Sequence, residues 1–355
     1  MRTPGKIVFA LLLMLVVGAS ERVSAFSLAL DSISAMGKFP KFCIDVYRWG
    51  DRFFNTYDSA FVEGTGYKFN GKVKVDTWGD RYRFNLTNDY ELSMASDPCS
   101  SIGIYVSYLA VSLGYDINIS NFLGSSEPAR KRFNFGFNCA LFSAELYWIN
   151  NDVSTVIERY GPTTNLQSAN IRFRGINTTT FGTDVMYYFN NKRYSTAAAF
   201  NYSKVQKKSQ GSFFAGLSYW RMNYDFDFNQ LPMTIKVELP EDWKDVDYRY
   251  LANSRNYSLR FGYAYNWVFA RNWLAAISES PIVGLKKGFI NLESDTKYSF
   301  SLYNRAKLSL VWTNNHWFAG GVLKIDNALV YDKNHSLVNT VLNGEFSLGY
   351  RFNLW

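Results

Sequence analysis

The sequence predicts an all-β fold: a transmembrane, antiparallel, up-and-down β-barrel of about 14 strands, within a range of about 12 to 16, preceded by a short amphipathic helix. Three observations predict it. Long segments alternate residue by residue between apolar and polar side chains; aromatic residues reach 18% of the 355 while charged ones are only 19%; and the chain opens on a segment built for export. The hydrophobic fraction of 47% is ordinary, yet beyond the first residues it is nowhere gathered into a run that could span a bilayer as a helix. A disordered chain and a helical membrane protein are both excluded.

Arg2 and Lys6 precede an apolar stretch from Ile7 to Val17, and Val23-Ser24-Ala25 puts small residues where a signal peptidase reads. Residues 1–25 are therefore expected to be a signal peptide, cleaved near Ala25, with Phe26 as the first mature residue. A retained anchor would need about 20 apolar residues, and this run has roughly a dozen. A lipid-modified N terminus would need a cysteine straight after the run, whereas the first cysteine is Cys43. Export of a barrel leads to the outer membrane of a Gram-negative bacterium. Residues 26–58 read as an N-terminal periplasmic helical segment, because Phe42, Val46, Trp49 and Phe53 recur at spacings of three and four with Asp45, Arg48, Asp51 and Arg52 between them. Such a helix either caps one end of the fold or offers a face to a periplasmic partner.

From residue 59 to 355 the period becomes two, and this stretch is assigned to the barrel. Tyr257, Leu259, Phe261, Tyr263, Tyr265, Trp267 and Phe269 alternate with Ser258, Arg260, Gly262, Ala264 and Asn266. Val111, Leu113, Tyr115 and Ile117 alternate in the same way with Ser112, Gly114, Asp116 and Asn118. Near the C terminus Phe346, Leu348, Tyr350 and Phe352 alternate with Ser347, Gly349 and Arg351. Soluble sandwiches also alternate, so length decides: their strands average about 5 to 6 residues, while a tilted membrane strand needs about 9 to 11. Several segments reach the longer figure, with aromatic residues near their ends as in an interfacial girdle. Tight connections at Gly79-Asp80, Cys139-Ala140, Ala270-Arg271 and Asn314-Asn315 take turns with long polar ones at 121–130, 150–167, 227–254, 281–299 and 332–340, the pattern of short periplasmic turns and long outer loops. Lys207 and Lys208 read as a solvated periplasmic connection.

The polar face carries Arg81, Arg83, Arg172, Arg174, Arg260, Arg305 and Lys307, with Lys72 and Lys74, against few acids such as Asp76 and Asp116. A basic lumen would attract anions; alternatively these charges pair with loop carboxylates such as Glu238, Glu241 and Asp242 and fill a closed interior. A pore, a passive transport element or a surface-structure component is the leading expectation. The runner-up is a barrel enzyme acting on outer-leaflet lipid, a hydrolase or acyltransferase, for which only His335-Ser336 with Asp332 offers an imidazole beside a nucleophile. No cofactor is expected. Cys43, Cys99 and Cys139 have no C-x-x-C spacing, and His316 and His335 are the only imidazoles, so a zinc site with several histidines is not available and no metal is expected. Basic residues stand singly on alternating positions, which argues against nucleic acid. The expected partners are outer-membrane lipid and lipopolysaccharide, and the barrel assembly machinery. That machinery would read the terminal Tyr350, Phe352 and Trp355, although Trp355 stands one step out of phase.

The stretch from Tyr187 to Ser195, containing Asn190, followed by Gln206-Lys207-Lys208-Ser209 and Gly211-Ser212-Phe213, resembles the signature hairpin of the uncharacterised Bacteroidetes outer-membrane family known as domain of unknown function 4421. Tyr57-Asp58-Ser59-Ala60-Phe61-Val62 resembles its opening motif, and Gly103 to Tyr108 with Leu113-Gly114-Tyr115 its early hairpin. The resemblance covers most of the chain after Asp58. It implies an outer-membrane barrel and carries no activity or catalytic residue with it.

Overall fold

The computed structural model describes residues 56–86, 90–108, 111–119, 131–152, 154–237, 249–287, 298–332 and 335–353. The proposed signal peptide, almost all of the proposed N-terminal helical segment, Cys43, Leu354 and Trp355 lie outside the described residues. In chain order the strands are β1 (Val62–Gly64), β2 (Phe69–Leu86), β3 (Tyr90–Ser96), β4 (Cys99–Tyr108), β5 (Val111–Asn118), β6 (Lys131–Asn138), β7 (Phe142–Asp152), β8 (Thr155–Pro162), β9 (Gln167–Phe173), β10 (Ile176–Tyr188), β11 (Lys204–Gln206), β12 (Gln210–Asp227), β13 (Arg249–Ala270), β14 (Trp273–Lys287), β15 (Tyr298–Thr313), β16 (Trp317–Asp332) and β17 (His335–Phe352). Twelve of them form a closed antiparallel ring in the order β2, β4, β5, β6, β7, β10, β12, β13, β14, β15, β16, β17, and β17 pairs back onto β2. Hydrogen bonds from Asn343 to Asp76 at 3.2 Å and from Asn85 to Ser336 at 3.0 Å cross this seam.

The ring lies at the lower edge of the expected range, and the reason is local. Trp78 of β2 pairs with Cys99 of β4, and Arg81 of the same strand pairs with Ala95 of β3. The segments β3 and β4 are thus one long partner of β2, interrupted at Asp97-Pro98, and Gly79-Asp80 is strand interior rather than a turn. Beyond the ends of β5 and β6, where β4 pairs with β5 no longer, β3 pairs directly with β8, which in turn pairs with β9. The polar stretch 150–167 therefore contains a strand. β14 likewise runs to Lys287, and Asp332 pairs with His335 across a tight hairpin, so 281–299 and 332–340 are loops only in part. β12 and β17 have 18 residues each and β13 has 22. At about 3.3 Å per residue and a tilt near 45°, such strands outreach a hydrocarbon core of about 30 Å and continue into water. Polar residues in those extensions resemble loops when read without coordinates.

Within the membrane zone the alternation has the expected phase. In β13 the odd residues from Tyr257 to Phe269 are exposed, while Ser258, Arg260, Ala264 and Asn266 are buried. The outward apolar side chains recur on strand after strand: Ile104 and Phe213 are 67% exposed, and Leu217, Phe261, Leu285, Phe300 and Phe346 exceed half. Soluble monomers rarely expose contiguous apolar patches beyond a few hundred Å². A girdle around the whole ring is stable only in lipid, which makes this an integral membrane barrel.

Candidate functional site: a plugged, charge-lined lumen

The β4–β5, β6–β7, β13–β14 and β15–β16 connections are short and share one end of the barrel. The β10–β12 connection belongs to the same end, yet it is no turn. Residues 189–209 fold inward as a plug. Tyr194, Ala197, Ala198, Ala199 and Tyr202 are at most 2% exposed, and a single π-helical turn spans Ala197–Asn201. Ala198, Ala199 and Tyr202 pack on the inward residues Leu274, Ala276, Val311 and Phe318 of the wall. A Cβ at Gly320 would lie 2.5 Å from the Tyr202 hydroxyl and 2.6 Å from its ring, so this glycine makes room for the plug.

Polar side chains fasten the plug at both ends. The Gln206 Oε1 accepts from the Ser195 N–H and from Asn266 Nδ2, each at 3.0 Å, and its Nε2 donates to the carbonyls of Arg193, Lys208 and Phe61 at 2.7, 3.0 and 3.2 Å. Asn266 also donates to the Ser195 carbonyl at 2.9 Å. Asn190 donates through its N–H to Ser212 Oγ and through Nδ2 to the Gly211 carbonyl, and Ser209 Oγ accepts from the Val268 N–H. A Cβ at Gly211 would strike the Tyr263 hydroxyl at 2.0 Å. The motif residues Asn190, Ser195, Gln206, Ser209, Gly211 and Ser212 are therefore one structural knot. Lys207 and Lys208 are exposed, as expected, and Lys207 pairs with Glu63 on the surface. β1 adds an antiparallel pairing to β11, binding the segment around residues 58–64 to the outside of the plug.

Arg351, 1% exposed, clamps the far side. It donates twice to the Tyr202 carbonyl, at 2.7 and 3.1 Å, and once to that of Asn314 at 2.8 Å. Tyr202 has φ of +62°, a left-handed conformation that a bulky residue adopts only when its surroundings impose it. The arginine and the stacked Phe318 ring are those surroundings. Tyr350, one step away, faces outward beside Trp317, and Phe352 ends β17. His316 lies in the adjoining turn, stacked on Tyr350 and within 3.2 Å of the Tyr67 hydroxyl. Burial raises the Tyr57 phenol, beside Ser195, to about 12 and lifts the Cys139 thiol at the β6–β7 turn. Cys99 and Cys139 are both buried, and Asn118 Nδ2 donates to the Cys99 sulfur at 2.9 Å.

The other end has a roof. Tyr82, Tyr90, Leu92, Met94, Ile157, Phe173 and Ile176 from the strand extensions form an apolar core with Leu231 and Ile235, the latter from a one-turn helix at Met233–Lys236. Between roof and plug lie two chambers. The upper, of about 230 Å³, is lined by Trp78, Trp220, Tyr303 and several asparagines; the lower, of about 170 Å³, is lined by charge, and Asp184 and Arg305 border both.

Of the seven basic residues expected in the lumen, Arg260, Arg305 and Lys307 are there. Arg81, Arg83, Arg172 and Arg174 are not: all four are exposed, the first two on the extension of β2 and the others on or beside β9, outside the ring. Their alternation belongs to strand extensions above the membrane, whose phase and closure differ from those of the wall. Arg132 and Lys324 join the lumen set, together with Lys72 and Lys74. Carboxylates answer most of these cations, and they come from the wall itself. Lys74 meets Asp116 at 3.1 Å, Asp76 at 3.4 Å and Glu345 at 3.8 Å. Lys324 bonds Glu345, and Arg132 pairs with Glu145 at 3.3 Å. Asp184 receives Arg305 at 3.2 Å and Arg260 at 3.9 Å, and Arg305 also grips Asp326. Since β10 and β15 are not neighbours in the ring, the Asp184–Arg305 pair spans the lumen. Placing Arg132, Glu145, Asp184 and Lys324 on the inward phase of β6, β7, β10 and β16 would have found them from sequence. Ser336 Oγ accepts from Asn85, and the side chains of Asp332 and His335 lie outside the described residues.

A family model described as domain of unknown function (DUF4421) matches residues 56–352. No curated protein matches the chain. Among solved structures, the Escherichia coli outer membrane protease OmpT is similar at 8% identity and a TM-score of 0.35, over 80% of this chain and 96% of that one. The P. putida toluene transporter TodX is similar at 9% and 0.29, over 81% and 91%. The translocator domain of the Neisseria meningitidis autotransporter NalP is similar at 11% and 0.34, over 80% and 88%. Likenesses this distant leave function to be argued from the chain's own geometry.

Proposed function

The chain belongs to the DUF4421 family, and from its lumen we propose an integral outer-membrane barrel for passive transport of small hydrophilic solutes, held shut at rest by the β10–β12 plug. The short-turn end is then periplasmic and the roofed end extracellular. Export by cleavage near Ala25, in a bacterium of the Bacteroidetes, completes this reading, and lipid and lipopolysaccharide surround the girdle. One observation carries it: an apolar belt encloses a polar lumen with two chambers, and the obstruction below them is a single chain segment fastened at its ends. A barrel serving only as an anchor has no need of buried charge, because apolar side chains fill a closed interior more cheaply. The roof is built from strand extensions and loop residues, the part of such barrels that varies in position most readily.

Liposome swelling tests the proposal. Ser309 Oγ donates to the Ala199 carbonyl at 2.7 Å, so a disulfide between A199C and S309C, in a background with serine at positions 43, 99 and 139, ties plug to wall. Solute entry should be slow for the native chain, absent for the tethered chain, and restored by reductant. Entry at the same rate with the tether closed refutes the plug as the barrier.

A further inference from the structure

We propose that the lower chamber is a binding site for a small, doubly charged oxyanion, of which inorganic phosphate and sulfate are the simplest examples, held by Lys72, Lys307 and Asn201. Pairing the charges leads there. Lys74, Arg132, Arg260, Arg305 and Lys324 each have a carboxylate within 4.0 Å. Lys72 and Lys307 do not, among the described residues. Lys72 Nζ lies 5.1 Å from the ring centre of Tyr105 and 5.0 Å from that of Tyr202, and Lys307 Nζ lies 5.6 Å from that of Phe200. Ring faces attract an ammonium, but they return only part of what is lost when it leaves water.

The register sharpens the deficit. Lys307 stands directly opposite Lys324 on the neighbouring strand, a like-charge pair that opposes strand pairing, and Lys324 is already committed to Glu345. A third group points the same way. Asn201, 8% exposed, borders this chamber from the plug, and its Nδ2 has no acceptor. Two ammonium groups and an amide N–H are all donors. What satisfies them together is an acceptor with several lone pairs and two negative charges, which is a tetrahedral oxyanion.

Size agrees. The chamber's volume of about 170 Å³ has room for the five heavy atoms of such an ion with some hydration. Lysine also suits the task, since a compact ammonium binds phosphate as a point charge and needs no planar fork.

The inference concerns binding and does not depend on solute passing through. The experiment uses the full-length barrel in detergent, equilibrated with phosphate, sulfate or chloride at one ionic strength, and reads thermal unfolding and titration calorimetry. Phosphate or sulfate should bind saturably with one site per chain and raise the unfolding temperature, while chloride should do neither. K72M, K307M and N201L should each weaken binding by about tenfold or more. K207M, on the exposed outer side of the plug, should not. In chloride K307M should unfold at a higher temperature than the native chain, because an uncompensated charge is gone, and phosphate should shrink or reverse that difference. A role of Lys307 in packing alone would give the opposite sign. Absence of saturable binding by folded, heat-modifiable barrel, or binding unchanged in K72M and K307M, overturns the site. Saturable binding by a barrel that passes no solute would overturn the transport reading and leave this one standing.

Discussion

Replacing Gln206 by alanine should open the plug without unfolding the barrel. The carboxamide oxygen serves two donors, the Ser195 N–H and Asn266 Nδ2, both in residues at most 1% exposed. Its nitrogen faces three carbonyls, of which two can be fully served by two hydrogens. Four effective bonds are therefore lost. At about 1 kcal/mol each the ceiling is about 4 kcal/mol, and water entering beside the exposed residues Arg193 and Lys208 lowers it toward about 2. That loss falls on plug docking, because all five partners lie within the plug, the strap before β1 or the adjoining wall, and no ladder bond of the ring is touched. Since about 1.4 kcal/mol is a factor of ten, the undocked population should rise roughly 30-fold to 700-fold. Hydrogen exchange of amides between 190 and 209 reads this directly, and limited proteolysis of the same stretch should follow. Single-channel recordings should show longer or more frequent openings, while the mobility shift between boiled and unboiled samples persists. Unchanged protection of the plug amides in Q206A refutes the claim that this side chain fastens it, and loss of the mobility shift would mean that plug and barrel are one cooperative unit.

Phe261→Arg should cost about 2 to 4 kcal/mol in urea titrations if it faces the bilayer midplane, whereas Ser258→Ala, on the inward phase of the same strand, should stay within about 1 kcal/mol. Arg260→Ala should cost about 1 to 3 kcal/mol, because Ser280 loses its donor at 2.9 Å and Asp184 keeps only Arg305; a negligible loss would show that Arg305 alone suffices. Gly320→Val should displace the Tyr202 ring and raise plug exchange and conductance, while Gly344→Ala, whose new methyl meets nothing within 4 Å, should leave both unchanged. Equal effects of the last two substitutions would remove the close approach of plug and wall as the reason for a glycine at 320.

The outward face could be read from the sequence because lipid and lumen impose opposite demands at every second residue, so Phe261 and Arg260 declare their sides without coordinates. Strand number could not be read by counting alternating segments. Interruptions at Asp97-Pro98, at Ser154 and at Arg174-Gly175 divide single long strands into two, and the pieces above the break leave the ring. Arg172 alternates as regularly as Arg260 for that reason, and only pairing tells them apart. The plug was hidden by a different cause. Ala198-Ala199-Phe200 has no local feature that turns a chain inward; its burial depends on Ser309, 110 residues later, and on Arg351, later still.

The carboxylates that neutralise the lumen are equally non-local. Asp184 meets Arg305 across the lumen from a strand that is not adjacent, so no spacing in the chain predicts it. In the lower chamber, once those pairs are drawn, the cations with no carboxylate within 4.0 Å among the described residues are Lys72 and Lys307, and both rest on rings, Tyr202 and Phe200, that the plug carries inward. Plug and cations are therefore coupled: undocking the plug strips each lysine of an aromatic neighbour and returns both to water. An anion bound between them gains Asn201 as a third partner only while the plug is docked, so occupancy and docking should favour each other by equal factors. The Gln206 variant then offers the measure of that coupling, since phosphate at saturating concentration should restore part of the amide protection that the substitution removes, and an anion without effect on that protection would show that the chamber and the plug act independently.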